Sequence, residues 1–128
     1  LDYIEKHIKS PHRSGVPLGD KEGVRLRFAD MRIETFMARS ALYRTARIVD
    51  SGDNSVNETA MTKVFTTETA GRVVDQGLQL FGGQALVTGH PLEKLYREAR
   101  SLRFVEGAND LLRLNIAKGK LELDKGRL

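Results

Sequence analysis

Residues 79–116 read QLFGGQALVTGHPLEKLYREARSLRFVEGANDLLRLNI, and the punctuation of this stretch decides the fold. Gly82 and Gly83 stop one hydrophobic segment. Pro91 suits the first turn of a new helix, because its missing N–H would have no helical partner there. Leu92, Leu95, Tyr96, Ala99 and Leu102 follow at three- and four-residue steps and give that helix one apolar face. Glu93 and Arg97 form an i,i+4 pair on its outer side. Glu106-Gly107 then breaks the pattern, and a last helix carries Leu111, Leu114, Ala117 and Leu121 on its inner face. A simple bundle does not require a Glu-Gly interruption at that place.

The same periodicity extends upstream. Residues 1–9 read as a short helix. Pro11, Gly15 and Pro17 make residues 10–17 a loop, since proline lacks the N–H and clashes with the preceding turn. A long helix is expected over residues 21–51, with Val24, Phe28, Met31, Ala38, Leu42, Ala46 and Val49 as its apolar stripe. Ser55 and Glu58 have capping-box spacing and open the next helix. Its stripe is Ala60, Val64, Gly71, Val74, Leu78 and Phe81, and the small pair Ala70-Gly71 admits a close neighbour. Met31, Met37 and Met61 sit at core spacing. The charged tail, residues 118–128, is expected to fray. No strand alternation or internal repeat is present. The fold class is therefore all-α, an antiparallel up-down four-helix bundle with a short extra helix.

Composition bounds the function. The 128 residues make one domain by length. With 21 basic and 17 acidic residues the formal charge is +4, and the two signs are interleaved. There is no cysteine, so disulfide frameworks and thiolate chemistry are excluded. No run approaches about 18 apolar residues, so no membrane span is expected. The three histidines, His7, His12 and His90, lack ligand spacing, and no metal is expected. His90, just before Pro91, is read as a cap or a solvent-facing residue. Arg97, Arg100 and Arg103 recur every third residue. With aromatic content of only 6% and no reader motif, they read as a solvated or ion-paired face rather than a nucleic-acid surface. The chain opens in helical pattern at Leu1-Asp2-Tyr3-Ile4 with no cap and no initiator Met, as a fragment of a longer protein would.

Two places can carry chemistry. Adjacent glycines at 82 and 83 let backbone N–H groups approach a phosphate-bearing ligand; they equally make a helix C-cap. Glu106, flanked by Phe104 and Val105, becomes a useful base if those neighbours desolvate it; it equally serves as a solvated turn residue near a helix N-terminus.

The order and spacing of these pieces resemble the C-terminal helical domain of the acyl-CoA dehydrogenases, which are FAD flavoenzymes. The resemblance implies a role for each. Gln79, Gly82 and Gly83 match a family motif that contacts the adenosine-pyrophosphate of an FAD held mainly by the partner subunit; the family's further glycine is Ala85 here. Glu106 matches the base that removes the α-proton of an acyl-CoA, and its own backbone N–H holds the thioester carbonyl. Gly107 matches too, so Glu106 and Gly107 form the substrate-side turn. Ala108 stands where the family carries a Thr that bonds the flavin nucleotide, and Asp110 stands for a Glu or Gln on the cofactor side. In the first loop the family's Arg, Phe and Gln are replaced by Pro11, Ser14 and Glu22, with Arg13 as a nearby cation. The resemblance further implies a homodimer or homotetramer, an acyl-CoA substrate, an electron-transfer partner protein, and a cytoplasmic location or, in a eukaryote, the mitochondrial matrix. The alternative is a non-catalytic helical oligomerisation module derived from the same family.

Overall fold

The computed structural model describes residues 1–126; Arg127 and Leu128, the end of the charged tail, lie outside them. The architecture is all-α, with five helices: α1 (Asp2–Lys9), α2 (Glu22–Asp50), α3 (Val56–Phe81), α4 (Pro91–Ser101) and α5 (Asn109–Leu121). Two 3₁₀ turns, Leu18–Asp20 and Gly83–Leu86, complete it. α3 is the hub and packs against each of the other four helices. Among the described residues α4 and α5 each lean on α3 and not on one another.

The helix boundaries follow local chemistry. α2 runs for 29 residues because it contains no proline and only one glycine, Gly23, in its first turn. At α4, His90 Nδ1 accepts the Leu92 N–H at 3.2 Å, so the residue before Pro91 caps the helix. The Ser55–Glu58 capping box does not form as a cap: Ser55 makes no side-chain cap bond, and its backbone (φ −124, ψ 14) is not the extended one a capping side chain needs. Asn54 Oδ1 accepts the Val56 N–H instead, at 3.3 Å.

The core lies at the α1 end of the molecule. Ile4, Ile8, Met31 and Leu80 are buried together, with Val24, Phe28, Val73 and Phe81 packed around them. A second cluster joins Leu78, Ala85 and Leu92. Gly77 permits the close approach of α1: a Cβ there would lie 2.7 Å from Ile4 Cδ1. Phe81 is the pivot of an aromatic group. His7 stacks on it with centroids 3.7 Å apart, Tyr3 stacks at 5.0 Å and His90 meets it edge-on at 5.3 Å.

Expected inner faces on α2, α4 and α5 are corrected; on α4, Leu92 and Ala99 are buried, but Leu95, Tyr96 and Leu102 are exposed. The α2 stripe holds through Met31 and then turns: Leu42 and Val49 are exposed, while Thr45 is buried and Ala38, Ala41 and Ile48 are half-buried. Met37 is exposed rather than core, for the same reason. On α5, Leu111, Leu114 and Leu121 face outward; Asn109 and Gly119 are buried and Leu112 and Ile116 half-buried. Gly119 suits that face, because a Cβ there would meet Asn57 Oδ1 at 3.1 Å and the Asn57 side chain would have to shift. The tail is also less loose than expected. Helix continues to Leu121, Lys125 N–H donates to Gly119 O at 2.7 Å, and Asn57 Nδ2 donates to Lys125 O at 3.1 Å.

The outward leucines are part of a wider excess. The accessible surface is 8851 Å² for 14.3 kDa, against about 6,800 Å² for a folded monomer of that mass. Much of the surplus is apolar side chain on α2, α4 and α5. No helix of the described residues is long and apolar enough to cross a membrane.

Candidate functional site

The loop between α4 and α5 is built around two consecutive residues in the left-handed region. Glu106 has φ 53 and Gly107 has φ 96. For glycine this costs nothing, but for glutamate the clash of Cβ with the backbone costs about 1–2 kcal/mol. Such a conformation persists only where the surroundings over-determine it.

The surroundings are a polar cluster on the middle of α3. Lys63 Nζ donates to Gly107 O at 2.7 Å and to Asn109 Oδ1 at 2.7 Å. Asn109, only 4% exposed, donates through Nδ2 to Glu68 Oε1 (2.9 Å) and Thr67 Oγ1 (3.0 Å). Its own N–H donates back to Arg103 O at 2.9 Å, closing the loop. Glu68 also pairs with Arg103 (3.2 Å) and Arg113 (3.2 Å). The Asn109 amide is the main reason the Glu68 carboxyl titrates below its usual range; burial opposes it, and Arg113 and Arg103 add to it.

Within this frame, Glu106 is exposed, and its carboxylate makes no hydrogen bond or ion pair with a described residue. The desolvation expected from Phe104 and Val105 is absent in this chain, because both neighbours point outward and are exposed themselves. The N–H groups of Glu106, Gly107 and Ala108 donate to no described residue. Glu106 and Lys63 line one cavity of about 720 Å³ between α3, α5 and the tail, together with Leu112, Asn115 and Lys118. Asp110 is placed differently: its side chain is 95% exposed and pairs with Arg113 at 3.0 Å.

The glycine turn is at the other end of α3. Gly82 ends the helix with φ 73 and ψ −164, a region essentially reserved for glycine, and its N–H donates to Leu78 O. A Cβ at Gly82 or Gly83 would meet nothing within 4 Å, and Gln79 is exposed one turn earlier. The turn caps α3, and the backbone at Gly82 and Gly83 faces open space. From Lys63 to Phe81 is 18 residues, roughly 27 Å along the axis at 1.5 Å per residue. The structure therefore places Glu106 and Gly107 on the α4–α5 loop and Asp110 in the first turn of α5, and keeps Gln79, Gly82 and Gly83 far from them.

In the first loop Pro11 and Pro17 face one another in a single bridge, and Gly15 (φ 78) turns the chain between them. Arg13 is exposed and bonds to no described residue. The arginine run is resolved residue by residue. Arg97 pairs with Glu93, Arg100 lies over the Phe104 ring at 4.6 Å, and Arg103 pairs with Glu68. The nearest neighbour at Gly71 is the Arg103 guanidinium.

The acyl-CoA dehydrogenase C-terminal domain, as a family, matches residues 1–121. The chain belongs to the acyl-CoA dehydrogenase family. It is 33% identical over 117 residues to the mitochondrial short-chain specific acyl-CoA dehydrogenase of Rattus norvegicus, covering 91% of this chain and 28% of the relative. Among solved structures, the FAD complex of PigA matches with a TM-score of 0.86 at 27% identity, over 97% of this chain and 32% of that one. A structure described as an electron transferring flavoprotein of Acidaminococcus fermentans matches with a TM-score of 0.88 at 25% identity, over 93% and 31%. The acyl-CoA dehydrogenase domain thus spans less than a third of each of these relatives.

The residues missed in the sequence are Lys63, Glu68 and Asn109. Their signal was faint: Lys63 and Thr67 flank Val64 on the α3 stripe, a place where an ordinary core face carries no polar pair.

Proposed function

We propose that this chain is the C-terminal domain of an FAD-dependent enzyme that α,β-dehydrogenates acyl-CoA thioesters, with Glu106 as its base. The observation that carries the reading is the Glu106–Gly107 turn. Among the described residues the Glu106 carboxylate and the backbone N–H groups beside it have no partner, and a left-handed glutamate holds them so. The Glu106 N–H donates to the thioester carbonyl oxygen, which acidifies the α-carbon, and the carboxylate takes the α-proton. The substrate and the enzyme's other domains supply the desolvation that this chain lacks.

The residues at the α3 C-terminus fit the dinucleotide end of FAD, because no side chain stands in front of the Gly82–Gly83 backbone. Gln79, Gly82 and Gly83 would hold that end for a partner subunit, and Asp110 is the residue of α5 nearest in role to the cofactor side. FAD, when bound, supplies the acceptor for the β-hydride. An electron-transferring flavoprotein is the proposed acceptor in turn, supported by the fold shared with the Acidaminococcus structure. The mitochondrial rat relative supports a matrix location if the source is eukaryotic.

The test is Glu106→Gln in the complete protein that carries this chain. Gln keeps the shape and cannot accept the proton, so flavin reduction by acyl-CoA slows by about 10²–10⁴-fold while FAD and acyl-CoA stay bound. Reduction at an undiminished rate would move the base elsewhere. A second reading, a non-catalytic association module, draws on the replaced first-loop residues Pro11, Ser14 and Glu22 and on Arg13, which bonds to no described residue. An FAD-free complete protein would establish it.

A further inference from the structure

We propose that Lys63 is a positioning residue for the base: its ammonium fixes the Gly107 peptide and so holds Glu106 in the left-handed conformation. This rests on the reading of Glu106 as the base and adds to it a group that touches no substrate. Four observations carry it. Among the described residues the Glu106 carboxylate has no partner, so the backbone is what fixes the direction in which its side chain leaves the loop. That backbone is strained at Glu106. The next carbonyl, Gly107 O, is held by Lys63 at 2.7 Å. Lys63 in turn is not free to wander, because Asn109 Oδ1 accepts its second bond and Asn109 is buried and pinned by Glu68 and Thr67. The order of dependence runs from Glu68 through Asn109 and Lys63 to the Gly107 peptide, and ends at the carboxylate.

A charge-assisted bond to a carbonyl is stronger than a neutral one, which suits a contact that must offset local backbone strain. Removing it lets the 106–107 turn relax towards ordinary φ. A displacement of about 1 Å at a reacting group lowers a rate by about 10²-fold.

The experiment is a double-mutant cycle in the complete flavoenzyme, read by stopped-flow reduction of bound FAD with acyl-CoA. Lys63→Met keeps the length and loses the donor. It is expected to slow flavin reduction by about 10²-fold, with FAD content unchanged and acyl-CoA affinity within a few-fold. Lys63→Arg, which still donates, is expected to recover about tenfold of that loss. In the Glu106→Gln background Lys63→Met is expected to change the residual rate less than twofold, because a positioning residue has nothing left to position. A full rate in Lys63→Met overturns the proposal, and so does an equal loss in both backgrounds. Glu106→Gln at full rate overturns the base reading and the proposal together, so the two failures are distinct. If Lys63→Met does not load FAD, Asn109→Ala takes its place in the same cycle, with an expected loss of about tenfold confined to the Glu106 background.

Discussion

Asn109 Nδ2 donates to Glu68 Oε1 at 2.9 Å and ties the first turn of α5 to the middle of α3. The contact is stronger with Glu68 ionised, and Glu68 titrates below its usual range chiefly because of it. A carboxyl whose folded value is depressed stabilises the fold above its unfolded range, and that stabilisation is lost as pH falls through the folded value. Amide exchange in residues 103–110 is therefore expected to accelerate on acidification before the rest of the chain opens. Glu68→Gln should abolish that selective step; an identical acid profile in Glu68→Gln would assign it to another group.

Thr45 and Thr62 share a hydrogen bond of 2.5 Å between hydroxyls, buried between α2 and α3. Replacing either one by Val leaves the other hydroxyl without its partner and is expected to cost about 1–3 kcal/mol. Replacing both removes two polar groups at unchanged shape, so the double variant should be no less stable than the worse single one. Denaturant unfolding of the four proteins measures this, and additive losses would show that the hydroxyls have other partners.

Gly82 and Gly83 are expected to separate into two roles. Gly82→Ala forces a side chain into a glycine-only backbone region and should destabilise the fold by about 1–3 kcal/mol. Gly83→Ala meets nothing within 4 Å and should leave Tm almost unchanged. In the complete protein Gly83→Ala should nevertheless weaken FAD retention, because the added methyl stands on the open shelf. Equal FAD retention in that variant would reduce the turn to a helix cap.

Glu106→Gly should raise or preserve Tm while stopping flavin reduction. Glycine relieves a left-handed strain of about 1–2 kcal/mol, offset in part by its greater freedom when unfolded. A clear fall in Tm would mean that the glutamate side chain supports the loop, against the absence of any partner for it among the described residues.

The isolated chain is expected to self-associate, since its surface exceeds that of a closed monomer by about 2,000 Å². Sedimentation of the wild type and of Leu114→Asp tests this, because Leu114 lies on the outward face of α5. A monomer at high concentration in both proteins would leave the outward leucines without a role in association.

The elements themselves were legible because their boundaries are written in strong local chemistry: Pro11 and Pro17, Gly82-Gly83, His90-Pro91, Glu106-Gly107. Faces were less legible. On α2 the apolar residues Leu42 and Val49 compete with Thr45 for the inner position, and the threonine wins because Thr62 offers it a hydrogen bond across the interface. On α5 the leucines are outvoted by Gly119 and Asn109, whose fit against Asn57, Lys63 and Glu68 sets the rotation of the helix. Hydrophobicity alone cannot report such choices, since an apolar residue meant for another surface looks the same as one meant for the core. In the site, the turn residues stood out by type, whereas the cluster behind them did not: Lys63, Glu68 and Asn109 meet only after α3 and α5 have packed.

The length of α3 has a genetic consequence. With Glu106 beside the N-terminal half of the helix and Gly82-Gly83 at its C-terminus, one protomer contributes to two different flavin sites under the proposed division of labour. A protomer disabled at Glu106 and another disabled at Gly83 would then complement one another when co-assembled. One of the two sites in such a pair would receive both intact ends, and the other neither. Hybrid oligomers of two inactive parents should regain up to half the wild-type activity, and a chain serving only its own cofactor could never do so.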